Sequence, residues 1–363
     1  MNENKNVPEL RFPGFEGDWF SIVFGEVVRK IASGKSAANE EGEHPVYGST
    51  GLISTTDNPS FEGLNILIAR VGANAGLLNI ADGIYGVTDN TLVVELDDSK
   101  NNVFFTFNLL KKFNLNKLVF GSGQPLITGG QLKKLKLYAP SLPEQQKIAD
   151  FLSAVDKKIE QLTEKHRLLT QYKKGVMQQI FSQQIRFKDD EGNEYPEWEE
   201  KKLGDICIKK SSTIAANAIE DSKGVFKIYG ASGELESVDF YDEETPYVAI
   251  VKDGAGVGRV QYCEAKSSVL GTLDKIFPVS GVQLTFLYEV LKGISFEKYT
   301  TGSTIPHIYF KDYKKELIGL PTGEEQQKIA DFLTAIDNKI DQAWSKLEQA
   351  KAFKKGLLQK MFV

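Results

Sequence analysis

The stretch Glu144-Gln-Gln-Lys-Ile-Ala-Asp-Phe-Leu152 occurs twice in this chain, and it returns unchanged as Glu325-Gln-Gln-Lys-Ile-Ala-Asp-Phe-Leu333. The match continues at lower identity to Phe181 and Phe362, with 20 of 38 positions identical. A repeat offset by half the chain indicates that the molecule contains two similar structural units. Two similar units predict that the protein acts on two comparable targets.

Apolar residues continue through both copies at alternating spacings of four and three, which is the heptad pattern of paired helices. Each copy lies close to a proline, Pro143 or Pro321, as is common at a helix start. We therefore predict two long helices, residues 144–181 and 324–363, that pair with each other in antiparallel orientation. The predicted seam consists of Ile148, Leu152, Val155, Ile159 and Leu162 in the first helix and Ile329, Leu333, Ile336, Ile340 and Leu347 in the second.

Aromatic residues form a flank beside the seam, at matching places in the two copies. A two-stranded coil does not need an apolar surface of this width. Two alternatives remain open, namely that the flank packs on a neighbouring globular segment or that it docks another protein. The flank consists of Phe151, Tyr172, Phe332 and Phe353.

Each seam also contains a lysine, Lys173 or Lys354, and two residues later a glycine, Gly175 or Gly356. A polar residue in an apolar seam can fix the register of two helices. A glycine can allow two backbones to approach closely. The alternative is that the seam simply opens near its end.

The two remaining segments, residues 1–143 and 182–323, share a weaker repeat. Tyr47-Gly-Ser-Thr-Gly51 aligns with Tyr229-Gly-Ala-Ser-Gly233, for example. Short β-rich runs between Gly and Asn turns predict strands, with a helix near 103–113 and another near 284–293. The predicted fold class is α+β. It contains two domains of short strands and helices, related by a pseudo-two-fold axis and joined by two long antiparallel coiled-coil helices.

The composition is that of a globular protein, with 41% hydrophobic and 26% charged residues in a chain of 363. No apolar run approaches the roughly 20 residues of a membrane span, so we expect a cytoplasmic protein without a membrane partner. The two cysteines and three histidines form no cluster that predicts a metal site or a disulfide framework. Residues 1–143 carry 13 basic and 15 acidic side chains, and residues 182–323 carry 17 and 23. Any binding of DNA must therefore gather basic side chains on one face.

Several short fragments imitate catalytic motifs without completing them. Gly34-Lys-Ser36 ends like a phosphate-binding loop, but Arg29 stands where that motif needs its first glycine. Phe120-Gly-Ser-Gly123 and Asn58-Pro-Ser-Phe61 are similar to adenine methyltransferase motifs, but both depart from the pattern. We therefore predict no catalytic residue, and the chain is interpreted as a binding protein.

This combination resembles the specificity subunits of type I restriction–modification enzymes. The resemblance rests on the doubled nonapeptide, the Tyr-Gly-x-x-Gly turns, and Gly121-Ser-Gly-Gln-Pro125 with Gly302-Ser-Thr-Ile-Pro306. It implies two target-recognition domains that each read one half of a split, asymmetric site in double-stranded DNA, with the helices setting the spacer. It also implies that two methyltransferase subunits dock on the helices and methylate adenine N6 with S-adenosylmethionine. Motor–nuclease subunits join that core in a full restriction enzyme.

Reading a DNA sequence requires side chains that reach the base edges, and Arg, Asn and Gln do so with paired hydrogen bonds. Candidates in the glycine-rich loops are Ser49, Arg70, Asn74, Ser122 and Gln124 in the first domain and Ser232, Lys252, Arg259, Ser303, Thr304 and His307 in the second. Alternatively, these loops are scaffold turns, and the divergent stretches 33–43 and 211–225 read the sequence.

Two other functions remain open from the sequence. One is an enzyme that fuses a methyltransferase to its recognition domains. The other is a scaffold of a defence complex that binds protein and no DNA.

Overall fold

The computed structural model describes residues 6–36, 41–119, 125–219 and 222–363. The chain divides into two compact units, and each contains parts of both long helices. The first unit combines Met1–Thr163 with Ser345–Val363, and the second consists of Glu164–Trp344. The boundaries of the units therefore fall inside the long helices, which were predicted as separate segments.

The first unit contains ten of the strands in the described residues. They are β1 Phe20–Val23, β2 Val28–Ser33, β3 His44–Gly48, β4 Gly51–Thr56, β5 Phe61–Glu62, β6 Asn65–Ala69, β7 Leu78–Ala81, β8 Ile84–Val87, β9 Thr91–Leu96 and β10 Lys136–Ala139. The helices that begin in this unit are α1 Val103–Phe113, α2 Gly129–Lys133 and α3 Leu142–Phe181.

The second unit contains the remaining described strands. They are β11 Glu199–Lys202, β12 Cys207–Ser211, β13 Phe226–Gly230, β14 Gly233–Val238, β15 Tyr247–Val251, β16 Val260–Cys263, β17 Ser267–Val269, β18 Leu273–Pro278 and β19 Leu317–Leu320. The helices that begin in this unit are α4 Leu203–Ile206, α5 Leu284–Gly293, α6 Phe310–Tyr313 and α7 Gly323–Lys360.

The sheets of the two units correspond, except that β5 of the first unit has no counterpart among the described strands of the second. The order β2-β9-β6-β7 in the first unit matches β12-β18-β15-β16 in the second, and the pair β1-β10 matches β11-β19. The sheet β4-β3-β8-β5 matches β14-β13-β17, and in both the pairing between β3 and β8 or between β13 and β17 is parallel. One topology used twice, with helices and strands mixed in each unit, agrees with the predicted fold class.

The central strand of each unit is buried along its whole length because both of its faces are covered. In the first unit, Ile66 and Ile68 of β6 share an apolar cluster with Phe105 of α1. Leu67 points the other way, as alternation along a strand requires, and joins a second cluster with Tyr85. A strand covered on both faces provides a rigid base for the loop that follows it.

The second unit repeats this arrangement with different residues. Val248 and Ile250 of β15 share a cluster with Phe286 of α5. Tyr247 and Val251 belong to a separate cluster on the opposite face of the strand. The two β15 faces are thus covered by helices and by the smaller sheet, as in the first unit.

The repeated nonapeptide binds the start of each long helix to the globular part of the same unit, which we call its head. Glu144 is 1% exposed and accepts two hydrogen bonds of 2.8 Å from the guanidinium of Arg11. Gln145, 2% exposed, accepts from the amide of Asn102 and donates to the carbonyl of Pro140. These buried groups therefore have the hydrogen-bond partners that burial requires.

The second copy makes the same contacts. Arg186 donates to Glu325, with Nη2 2.9 Å from Oε2, and Gln326 accepts from the amide of Gln283. One contact is new, because Trp198 Nε1 also donates to Glu325 at 2.9 Å. The equivalent indole nitrogen of Trp19 is buried and has no hydrogen-bond partner among the described residues.

Within each unit, the start of one long helix packs against the end of the other. In the first unit, Ile148 of α3 shares an apolar cluster with Leu357 of α7. In the second, Ile180 near the end of α3 shares a cluster with Ile329 near the start of α7. The segments therefore run antiparallel inside each unit.

Candidate nucleic-acid interface

Three glycine-framed loops meet in the second unit. The amide of Gly254 donates to the carbonyl of Pro306 at 2.9 Å, and the amide of Ile308 donates to the carbonyl of Lys252 at 3.0 Å. Arg259 extends its guanidinium to the carbonyl of Ala231 in the third loop. We call residues 230–233, 252–259 and 301–308 together loop cluster 2.

The first unit joins two of its loops in the same way. The amide of Gly72 donates to the carbonyl of Pro125 at 3.0 Å, and the amide of Ile127 donates to the carbonyl of Arg70 at 2.8 Å. We call residues 48–51, 70–77 and 125–127 loop cluster 1. The two clusters thus share a backbone scaffold and differ in the side chains that it carries.

The scaffold carries the predicted DNA-contact residues that the structure describes, with Ser49 in the turn 48–51 that aligns with 230–233. Ser122 and Gln124 lie outside the described residues. The exposed candidates are Asn74, Ser232, Arg259, Ser303 and Thr304, and the half-buried ones are Ser49, Arg70, Lys252 and His307. Of the divergent stretches, residues 37–40 and 220–221 also lie outside the described part of the chain.

Loop cluster 2 contains acidic partners that were not predicted from the sequence. Lys252 Nζ lies 3.3 Å from Asp274 Oδ1, and His307 Nδ1 contacts Asp253 Oδ1. Asp274 is 3% exposed, and Lys209 also approaches it, at 3.5 Å. A signal was available, because an acid in the middle of a buried strand needs a cation nearby.

Arg70 in loop cluster 1 has a different environment. Its Nε atom is buried and has no hydrogen-bond partner among the residues that the structure describes. Within the same residues, no carboxylate forms an ion pair with its guanidinium, in contrast to Lys252. Among the described residues, Arg70 therefore has no acidic partner, whereas Lys252 has one.

The aromatic flank on the long helices separates into two pairs. Phe151 packs edge-on against Phe12, with ring centroids 5.6 Å apart, and Phe332 packs in the same way against Phe187 at 5.5 Å. Tyr172 and Phe353, in contrast, are 53% and 56% exposed. The first pair belongs to the packing of each head, and only the second pair is accessible to a partner.

The predicted seam residues are buried or half-buried. Among the described residues, no helix combines the length and the apolar character that crossing a membrane requires. In the same described part of the chain, no three His, Cys, Asp or Glu side chains come together to hold a metal. Buried seam residues are Ile148, Leu152, Leu162, Ile329, Leu333, Ile336 and Leu347, and half-buried ones are Val155, Ile159 and Ile340.

Comparison with known proteins gives the same family twice along the chain. The model of the type I restriction modification DNA specificity domain matches residues 18–171 and again residues 195–352. The chain is 25% identical to the type I restriction enzyme MjaVIII specificity subunit of Methanocaldococcus jannaschii, over 98% of this chain and 93% of that one. It is 28% identical to the putative MjaX specificity subunit of the same organism, over 74% of this chain and 69% of that one.

A solved structure shares the fold over nearly the whole length. It is the type I restriction–modification S subunit from M. genitalium, with a TM-score of 0.74 and 19% sequence identity. The comparison covers 98% of this chain and 99% of that one.

Proposed function

Because this chain belongs to the family of type I restriction–modification DNA specificity subunits, we propose that its two loop clusters each read one half of a bipartite, asymmetric DNA site. The observation that carries this proposal is the pair of loop clusters. Within each cluster the loops are joined by an equivalent backbone hydrogen bond, Gly72 to Pro125 in the first and Gly254 to Pro306 in the second. The side chains between the glycines differ. One scaffold with two sets of side chains suits two different targets of the same chemical kind.

The long helices supply the spacing between the two half-sites in this proposal. Helix α3 has 40 residues and α7 has 38. At 1.5 Å per residue, α3 extends about 60 Å. Half-sites one helical turn apart are separated by about 34 Å, a distance that helices of this length can span.

We further propose that two methyltransferase subunits dock on the helices, one beside Tyr172 and one beside Phe353. These exposed aromatic residues occupy equivalent positions in the repeat. Exposed aromatic side chains are enriched at the energetic centres of protein interfaces. Two equivalent docking positions favour two copies of one partner.

In this division of labour, the chain itself is non-catalytic and acts in the cytoplasm on double-stranded DNA. S-adenosylmethionine binds to the methyltransferase subunits, which transfer its methyl group to adenine N6. Motor–nuclease subunits join the same core where the assembly also cleaves DNA.

Methylation mapping tests the proposed function. The full chain is produced in cells together with a methyltransferase subunit that copurifies with it, and N6-methyladenine is mapped across the genome. We expect one bipartite motif with a fixed gap, and none when either protein is produced alone. Methylation by this chain alone, or binding of labelled S-adenosylmethionine to it, would instead support the fused enzyme. Copurification without any bipartite motif would support the scaffold.

A further inference from the structure

Arg70 and Lys252 occupy equivalent positions, each directly after the central strand of its unit. Strand pairing places Leu92 of β9 where β18 has Asp274, since they lie opposite equivalent residues of β6 and β15. The first unit therefore has a leucine where the second has an acid. This one exchange changes the electrostatic environment of the cation in each loop cluster.

In the second unit, the acid binds the cation. Asp274 lies 3.3 Å from Lys252, is also approached by Lys209, and accepts a hydrogen bond of 3.2 Å from Ser211. The carboxylate is almost fully buried, so its charge requires these partners. The ammonium group of Lys252 is thereby paired with a carboxylate of the protein itself.

In the first unit, the equivalent cation lacks such a partner among the described residues. Leu92 is 5% exposed and offers no acceptor to Arg70. A buried donor of a charged group that lacks an acceptor raises the free energy of the folded state. Buried polar groups in native proteins are almost always hydrogen-bonded, so an unpaired one requires an explanation.

We propose that the guanidinium of Arg70 donates hydrogen bonds to an acceptor on DNA, and that Lys252 stabilises loop cluster 2 without contacting DNA. This inference rests on the proposed function, because it names the contact through which loop cluster 1 holds its half-site. A guanidinium donates in pairs to O6 and N7 of guanine or to two oxygens of a phosphate. Both sources share the same acceptor geometry, and they differ in their effect on sequence preference.

The test compares Arg70→Ala with the matched variant Lys252→Met in the full chain, copurified with its methyltransferase subunit. DNA binding is titrated at several salt concentrations on a duplex that contains the motif obtained from methylation mapping. We expect Arg70→Ala to weaken binding roughly 10- to 100-fold, the range of one good paired contact. Lys252→Met should lower the unfolding midpoint, because Asp274 loses a partner, but it should change binding by less than about threefold, since Lys209 and Ser211 still hold that carboxylate.

Methylation mapping of Arg70→Ala distinguishes the two acceptors. If Arg70 contacts guanine, one position in a single half-site becomes permissive while the other half-site is unchanged. If it contacts phosphate, the motif is retained, and the salt dependence of binding decreases by about one counterion.

A third variant, Leu92→Asp, gives the first unit the acid of the second. We expect it to weaken DNA binding as Arg70→Ala does, because the new carboxylate would pair with Arg70. Asp274→Asn is the matched change in the second unit, and it should leave binding nearly unchanged. Thermal unfolding of each variant shows whether it has folded, and if Leu92→Asp does not fold, the pair Arg70→Ala and Lys252→Met decides.

Normal DNA binding by Arg70→Ala would overturn this inference, as would an equal loss in Lys252→Met. Failure of the proposed function looks different, because then the unsubstituted assembly would yield no bipartite motif at all.

Discussion

Lys354 of α7 donates to Asp156 of α3, with Nζ 2.6 Å from Oδ2, although the two residues are 198 positions apart in the chain. Lys173 repeats the contact in the second unit, 2.5 Å from Asp337. Both lysines are buried in the apolar seam, where a shift of register would leave the ammonium group without its partner. Of the interpretations left open by the sequence, the structure favours a register device.

The two lysines should differ in their contribution to stability. Lys173 also donates to Glu289 at 3.0 Å, and burial raises the pKa of that carboxyl group. Lys173→Met leaves this buried acid with the more distant Lys292, 4.0 Å away, as its ion-pair partner, and we expect a loss of about 3 kcal/mol in the free energy of unfolding. Lys354→Met leaves Asp156, whose side chain is 47% exposed, and should cost about 1 kcal/mol. Denaturant unfolding measures both, and equal losses would contradict the burial of the acidic partner as the cause of the difference.

The glycines near these lysines offer an opposite change. A Cβ atom added at Gly175 or Gly356 would meet no other atom within 4 Å, so close backbone approach does not require either glycine. Replacing a glycine inside a helix by alanine stabilises it by up to about 1 kcal/mol. We therefore expect Gly175→Ala and Gly356→Ala each to raise the unfolding midpoint. A lower midpoint would show that the folded helix requires a glycine at that position.

The thiols of the second unit provide a local probe of unfolding. Burial raises the pKa of Cys207 and of Cys263 to about 12. An unfolded thiol has a pKa of about 8.5, so folding disfavours the thiolate. The stability of the second unit should therefore decrease as pH rises through the unfolded pKa, and it should continue to decrease toward pH 12. At about pH 8, just below that unfolded value, a thiol reagent should label the chain only as the second unit unfolds, and rapid labelling without denaturant would contradict the burial.

The ion pairs Arg11–Glu144 and Arg186–Glu325 should differ in how much stability is lost when the arginine is replaced. Arg11→Met leaves the buried Glu144 without its cation, and we expect a loss of about 3 kcal/mol in unfolding free energy. Arg186→Met should cost less, because Trp198 still donates to Glu325. Adding Glu144→Gln to Arg11→Met should recover part of the loss, since a neutral amide costs less to bury. Calorimetry measures these differences, and no recovery in the double variant would exclude the buried charge as their cause.

Replacing the exposed aromatic residues of the helices should affect binding of the methyltransferase subunit, whereas replacing the packed ones should affect stability. Tyr172→Ala and Phe353→Ala should reduce copurification of the methyltransferase subunit while changing the unfolding midpoint little. Phe151→Ala and Phe332→Ala should lower the midpoint, because each loses a ring contact with its own head. Unchanged copurification of the double variant Tyr172→Ala/Phe353→Ala would rule out this docking surface.

Lengthening the helices should change only the gap in the DNA motif. A heptad inserted after Thr163 and another after Trp344 fall at the boundaries between the units. Seven helical residues add about 10 Å, which corresponds to about three base pairs of DNA. We expect methylation mapping to show both half-sequences unchanged and the gap lengthened, whereas an insertion in one helix alone should disrupt the pairing. A gap that stays constant in the double insertion would separate the helices from spacer selection.

The parts of the fold that follow from short-range pattern could be predicted from the sequence. The heptad repeat predicted helices at 144–181 and 324–363, and the structure has them at Leu142–Phe181 and Gly323–Lys360. The shorter helices Val103–Phe113 and Leu284–Gly293 also agree with the prediction. In each of these segments, a periodic apolar face specifies the helix through neighbouring residues alone.

Differences that arise from long-range contacts could not be predicted. Phe151 and Tyr172 lie on one predicted flank, but only the position of Phe12 decides that the first is covered. Arg70 and Lys252 occupy equivalent motif positions, and only the strand paired alongside decides which of them has an acid as partner. Such distinctions depend on tertiary contacts that no local pattern contains.

The division of the helices between the units also sets the order in which the chain can fold as it leaves the ribosome. The second unit is one continuous segment, Glu164–Trp344, whereas the first needs Ser345–Val363 to cover its core, where Phe362 stacks on Phe105 at 5.3 Å. Domains usually fold in the order of their synthesis. Here the head that is translated first must wait for the last turns of α7, so a released chain truncated after Trp344 should protect the second unit from protease and leave the first one sensitive.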